Sequence, residues 1–206
     1  LHYFHCDKYA QRPLHICYPE VIDYTEDIPT SGRHRPLWPK YGEYTYVPVQ
    51  RWLHSLEHGG VVFLYHPCAQ PNQIEIFKSV AENCLWKHII SPYQKIPPNM
   101  NFAVLTWKCK LVMNNVDVSR IVHFIKTKAL QGPEVTFRDG QYKIGLIKPA
   151  KIVSDNEDSV LCPSMPTISA MADDFKQKSL ARRIKSLTSQ SNLEKTISAF
   201  MKQFTD

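Results

Sequence analysis

The segment Leu53-His54-Ser55-Leu56-Glu57-His58-Gly59-Gly60 concentrates side chains that can do chemistry. On an α-helix His54 and His58 stand four residues apart on one face, close enough for two imidazoles to hold one metal ion. Glu57 lies three residues from His54, beside the pair. His34 closes the loop Pro29-Thr30-Ser31-Gly32-Arg33-His34, whose glycine permits a backbone path close to a site, and His15 and Met100 are further candidate donors. The candidate ligands are therefore His15, His34, His54, His58 and Met100. Three or four imidazoles with a thioether suit copper, whose reduced form accepts sulfur; zinc, the alternative, accepts imidazole but seldom Met. Glu57 is expected behind the ligands, accepting an N–H from an imidazole and fixing its tautomer.

The same residues match His-x-x-Glu-His, the inverted zinc-peptidase pattern, in which two histidines hold zinc and the glutamate is the general base. That chemistry needs a third protein ligand, for which Glu75, Glu82 and Glu134 are available, and an open water position. Gly59-Gly60 ends the helix at once and a strand follows, so binding is favoured over hydrolysis. The alternatives are a metalloenzyme, either a copper oxidoreductase or a zinc hydrolase, and a non-catalytic interaction module whose histidines are structural.

The elements that must carry these residues follow from period and punctuation. Seven prolines between Pro13 and Pro67 predict an irregular N-terminal wrap with short extended pieces. Pro48 offers a helix start, Val49 to His58 nearly three turns, and Gly59-Gly60 a stop. Gly60 to His66 reads as a buried strand, Asn72 as the cap of a helix running to about Ile90, and Phe102 to Val112 as a second strand. The two strands would run parallel if they share a sheet. A third helix is expected from Val118 to about Leu130, and a hairpin around Asp139-Gly140. The fold class is α+β: one compact domain with a small mixed sheet, three packed helices and the wrap over residues 1–150. A linker over 151–172 and an amphipathic helical tail over 173–206 follow. The tail should break around Ser189 to Ser191. Its apolar stripe from Leu193 to Phe204 must be covered, by its own domain in preference to a partner protein.

The chain has 206 residues, 43% of them hydrophobic and 21% charged, which excludes disordered and collagen-like classes. No apolar run approaches the roughly 18 residues of a membrane span. Much of the net charge of +6 lies after residue 173 and no nucleic-acid motif accompanies it, so no nucleic-acid partner is expected. Six cysteines, even in number and without a CxxC pair, predict three disulfides formed in an oxidising compartment. A chain opening at Leu1 without an initiator Met reads as a trimmed product, its signal peptide or membrane anchor removed.

The runs IPTSGRH, LHSLEHGGVVFLYHP and FAVLTW, with Gly132-Pro133-Glu134, resemble the family called domain of unknown function 3105, whose pattern runs PPTSGPH, HxLEHGG and TAW. VVFLYHPCAQP is similar in particular to the animal branch, the tumour-protein-p53-inducible protein thirteen group of single-pass membrane proteins. His15, Tyr24, His34, His54, Glu57 and His58 fall on the family's motif positions, and Met100 is placed with them. Tyr24 thereby joins Glu57 as a residue that orients the ligands. Two departures stand out. Ile28 replaces the first proline of the loop, and Thr106-Trp107 lacks the intervening alanine, which shifts the facing of Trp107 along a strand. The resemblance implies a secreted or lumenal domain, or the ectodomain of a membrane protein, and supplies no reaction.

Overall fold

The computed structural model describes residues 1–165 and, beyond them, isolated positions between Ala170 and Glu194. The chain divides into two compact units, Leu1–Met165 and Pro166–Asp206. In the second unit every described position is helical and exposed. Where a break is expected around Ser189 to Ser191, Ser189 and Gln190 are helical; Ser191 and the stripe from 193 to 204, apart from Glu194, lie outside the described residues.

The first unit is α+β. Its strands are β1 (His2–Cys6), β2 (Gly42–Tyr44), β3 (Val61–Tyr65), β4 (His88–Pro92), β5 (Phe102–Thr106), β6 (Cys109–Met113) and β7 (Leu146–Pro149), with helices α1 (Val49–Glu57), α2 (Pro71–Cys84) and α3 (Val118–Lys128). One seven-stranded mixed sheet runs in the order β1-β6-β5-β3-β4-β2-β7. The two-residue period of β3 divides the helices between its faces. Val62 and Leu64 join the core cluster with Trp52, Leu53 and Leu56 of α1, whereas the Phe63 ring meets Phe77 of α2 edge-on at 5.3 Å. The helix that carries His54 therefore lies on one face, and α2 on the other.

The structure departs from the sequence pattern at several elements. Helix α2 starts at Pro71 with Gln70 as its cap, because a proline, which has no N–H to lose, suits the first helical position better than Asn72 suits the cap. It ends at Cys84 and not at Ile90. Leu85 is extended, and the backbone N–H groups of Trp86 and Lys87 donate to the buried Asp158 carboxylate at 2.6 and 2.9 Å. Residues 88–92 thereby become β4, which is parallel to β3, whereas β3 and β5 are antiparallel. Phe102 to Val112 is not one strand. It turns at Trp107-Lys108, with Lys108 at φ 68°, into the β5–β6 hairpin, and Trp107 packs into the core from that turn. No hairpin forms at Asp139-Gly140; the Asp139 carboxylate instead accepts the Tyr41 and Gly140 N–H groups, and β7 pairs with β2.

Two disulfides form, Cys6–Cys109 and Cys84–Cys162, so the expected third is absent: Cys17 and Cys68 are free and exposed. Cys162 and Asp158 together fasten residues 151–165 to the end of α2 and the turn into β4. Among the described residues no helix is long and apolar enough to cross a membrane.

Candidate metal centre

Three segments meet beside α1, joined by backbone hydrogen bonds. In the wrap, the His34 N–H donates to the Leu14 carbonyl at 2.9 Å and the Ile16 N–H to the His34 carbonyl at 2.8 Å, which fixes His15 against His34. The Arg35 N–H donates to Gln50 in the first turn of α1 at 2.8 Å, and the Arg35 guanidinium reaches back to the carbonyls of Ile16 and Glu20. The loop is thus tied on one side to the wrap and on the other to the helix. Tyr24 hydroxyl donates to the Arg33 carbonyl at 2.8 Å, bracing the same loop from outside.

The result is a group of four ligand atoms, from His15, His34, His54 and Glu57, all within 4.8 Å of one another. Glu57 Oε2 lies 2.9 Å from His34 Nε2, 3.5 Å from His15 Nε2 and 3.8 Å from His54 Nε2. His34, His54 and Glu57 are at most 3% exposed, and His15, at 46%, is the member that faces solvent.

The far sides of the rings settle the tautomers. His34 Nδ1 donates to the Gly32 carbonyl and His54 Nδ1 to the Arg35 carbonyl, each at 2.8 Å. A carbonyl only accepts, so both Nδ1 atoms carry protons, and either ring, when neutral, turns an Nε2 lone pair inward. Burial drives the pKa of His54 down to about 3, with the neighbouring His34, His58 and His15 adding to the fall against a hydrogen bond to Arg35 that opposes it. Its Nε2 is therefore a free lone pair at neutral pH. Burial by itself would raise the pKa of Glu57; the hydrogen bond and positive field of His34, with His54 and His15, outweigh it and lower the pKa, so the carboxylate is charged. Nitrogens and a carboxylate thus converge in a space buried on all sides but that of His15. At 2.9 Å, His34 Nε2 and Glu57 Oε2 need a positive charge between or beside them, either a second proton on His34 or a cation.

His58 stands beside this group. Its ring centroid is 4.6 Å from that of His54, its Nδ1 donates to the Glu134 carbonyl at 2.6 Å, and its Nε2 is buried without a hydrogen-bond partner. Met100 packs in the hydrophobic core with Trp52, Tyr93 and Ile96. Two positioning residues carry no signal in the sequence. Trp38 walls the cluster, its ring 4.9 Å from His54 and 4.4 Å from His58, and Arg35 acts through its backbone as much as through its charge. Gly132 to Glu134 also serves the site. A side chain at Gly132 would strike the carbonyls of Leu56 and Glu57, and the Glu134 N–H donates to the Glu57 carbonyl at 3.1 Å.

No curated protein and no solved structure matches the chain. One family pattern does, over residues 15–140, a span that opens on His15 and takes in every member of the cluster together with the Gly132-Pro133-Glu134 brace. The chain therefore belongs to the family described as "Protein of unknown function (DUF3105)".

Proposed function

We propose that the domain binds one first-row transition-metal ion between His15, His34, His54 and Glu57. The observation that carries this reading is the inward convergence of Nε2 lone pairs on a charged carboxylate while Nδ1 of His34 and His54 is already held by backbone carbonyls. Carbonyl bonds on the outer nitrogen are how proteins orient imidazoles toward a metal. Copper, as the divalent ion, is favoured over zinc by the general order of affinities for nitrogen and oxygen donors. Met100 serves the core, so its sulfur lends copper no added preference; His58 Nε2 is a candidate additional donor.

Binding rather than hydrolysis suits a cluster reached past His15 alone. Glu57, with its lowered pKa and its place among the nitrogens, is a ligand or counter-charge and not a poised base. Two disulfides fit an oxidising compartment, and the likeness of VVFLYHPCAQP to the animal branch supports a lumenal or extracellular ectodomain. The tail's apolar stripe, read from sequence alone, is assigned to its own domain in preference to a partner protein.

A second reading rests on the 2.9 Å His34–Glu57 contact: a protonated His34 supplies the positive charge and the cluster is structural. Elemental analysis of protein purified without added metal, followed by competitive titration with copper and zinc, separates the two. The proposal expects one ion per chain, lost in His54→Ala. Protein that binds neither ion would leave the structural reading.

A further inference from the structure

The two edges of the sheet are unlike. Strand β7 carries Lys148 and Pro149, residues that blunt an edge against pairing. Strand β1, His2-Tyr3-Phe4-His5-Cys6, has no lysine, no proline and no bulge, and among the described residues pairs only with β6, in unbroken register on its inner side. Its backbone direction follows from the ends of that ladder. The Leu1 carbonyl accepts from Asn114 and the Asp7 N–H donates to Lys108, so the odd-numbered residues face β6. The N–H and C=O groups of His2, Phe4 and Cys6 therefore point outward from the sheet.

Beside this edge lies a groove of about 750 Å³ between β1 and α3. Its floor is apolar: Phe4, 54% exposed, meets Phe124 edge-on at 5.9 Å, with Tyr3 and Leu111 alongside. Its rim is cationic or protonatable, formed by His2, Arg120, His123 and Lys128, and no acid among the described residues lines it. Arg120 is paired with Asp117 at 2.9 Å, whereas the Lys128 ammonium stands 5.9 Å over the Phe4 ring, with no acid within ion-pair distance among the described residues.

We propose that this edge and groove dock an extended segment of a partner protein, which adds to β1 as a further strand. Its backbone takes the outward groups of His2, Phe4 and Cys6, an apolar side chain enters over Phe4 and Phe124, and flanking carboxylates meet Lys128 and Arg120. Charge chooses this occupant over a second copy of the chain. Pairing β1 with itself would bring two basic rims together, and like charges across an interface repel.

The test uses the full chain and a displayed library of short random peptides. Selection should enrich sequences that alternate apolar and acidic residues, and the best of them should slow hydrogen exchange at the Phe4 and Cys6 amides. Lys128→Glu, an exposed-rim change, should weaken that peptide about tenfold and leave the melting temperature unchanged, and replacing the peptide's acids by lysine should do the same. Failure to enrich any peptide, equal binding by Lys128→Glu, or unprotected Phe4 and Cys6 amides in the complex would overturn the proposal. So would protection of those amides in the chain alone, whether it rose with protein concentration, giving the edge to a second copy, or vanished on deleting residues 166–206, giving it to the tail.

Discussion

Replacing Glu57 by glutamine separates the two things its carboxylate does. In the metal-free protein Oε2 accepts from His34 at 2.9 Å, a charge-assisted bond of the kind worth about 1.5–3 kcal/mol. Glutamine has the same shape, and its amide can donate to the Nε2 lone pair of a neutral His34, restoring about 0.5–1.5 kcal/mol as an uncharged bond. The net loss should be about 1–2 kcal/mol, or roughly 3–6 °C in melting temperature for a domain of this size. Glu57→Ala has no such replacement and leaves a buried positive or unpaired ring, for which about 3–5 kcal/mol is the usual cost. Metal binding behaves oppositely: the glutamine cannot neutralise a divalent ion, so affinity should fall by roughly 100-fold or more.

Thermal melts with and without metal read both effects. With free ion at 100 times the dissociation constant, the native chain should gain about 2.7 kcal/mol, and Glu57→Gln should gain almost nothing at the same concentration. The reasoning fails if Glu57→Gln keeps the full metal-induced rise. It fails also if glutamine destabilises the apo chain as much as alanine, because the tautomer argument would then be wrong.

Acid should weaken the metal-free fold below the ordinary histidine range. His54 and His88 have pKa values lowered by burial, so below about pH 6.5 the unfolded chain takes up protons that the folded chain refuses; His54, lowered to about 3, should cost about 2 kcal/mol by pH 5 and His88 adds in the same direction, and denaturant midpoints that do not move between pH 7.5 and 5 would refute this. A thiol reagent on native, unreduced protein should modify two cysteines, Cys17 and Cys68, and four more after denaturation with reductant; none or six at the first step would contradict the pairing. Gly132→Ala should lower stability by about 1–3 kcal/mol and weaken the metal about tenfold, because its Cβ would lie 2.1 Å from the Glu57 carbonyl; unchanged metal titration would show that the brace does not reach the site.

What could be read from sequence was what local rules control. Helix α1 follows from Pro48, the apolar period of Trp52, Leu53 and Leu56, and the glycines after it, and its His54–Glu57–His58 face came with it. The local pattern predicts too long an α2 because the helix end is decided more than 70 residues later, by Asp158 reaching the Trp86 and Lys87 amides and by Cys162 bonding Cys84. Nothing in 85–90 stops a helix by itself. The edge strand β1 was likewise invisible, since its pairing partner is more than 100 residues away and its side chains are mostly exposed.

The donor count at the site was beyond the sequence for a related reason. Helical spacing puts His54, Glu57 and His58 on one face with equal claim, and the i, i+4 pair favours the two histidines. The structure breaks that equivalence at the helix end. His58 is already the C-terminal cap residue, at φ −83° and ψ 12°, and its Nδ1 is drawn to the Glu134 carbonyl, while Glu57 remains helical and turns its carboxylate toward His34. The Glu134 carbonyl is in reach only because Gly132, lacking a side chain, lets the turn of residues 132–134 lie against the carbonyls of Leu56 and Glu57. A glycine about 75 residues downstream thus helps to place Glu57, rather than His58, among the converging nitrogens, and no pattern within 54–58 records it.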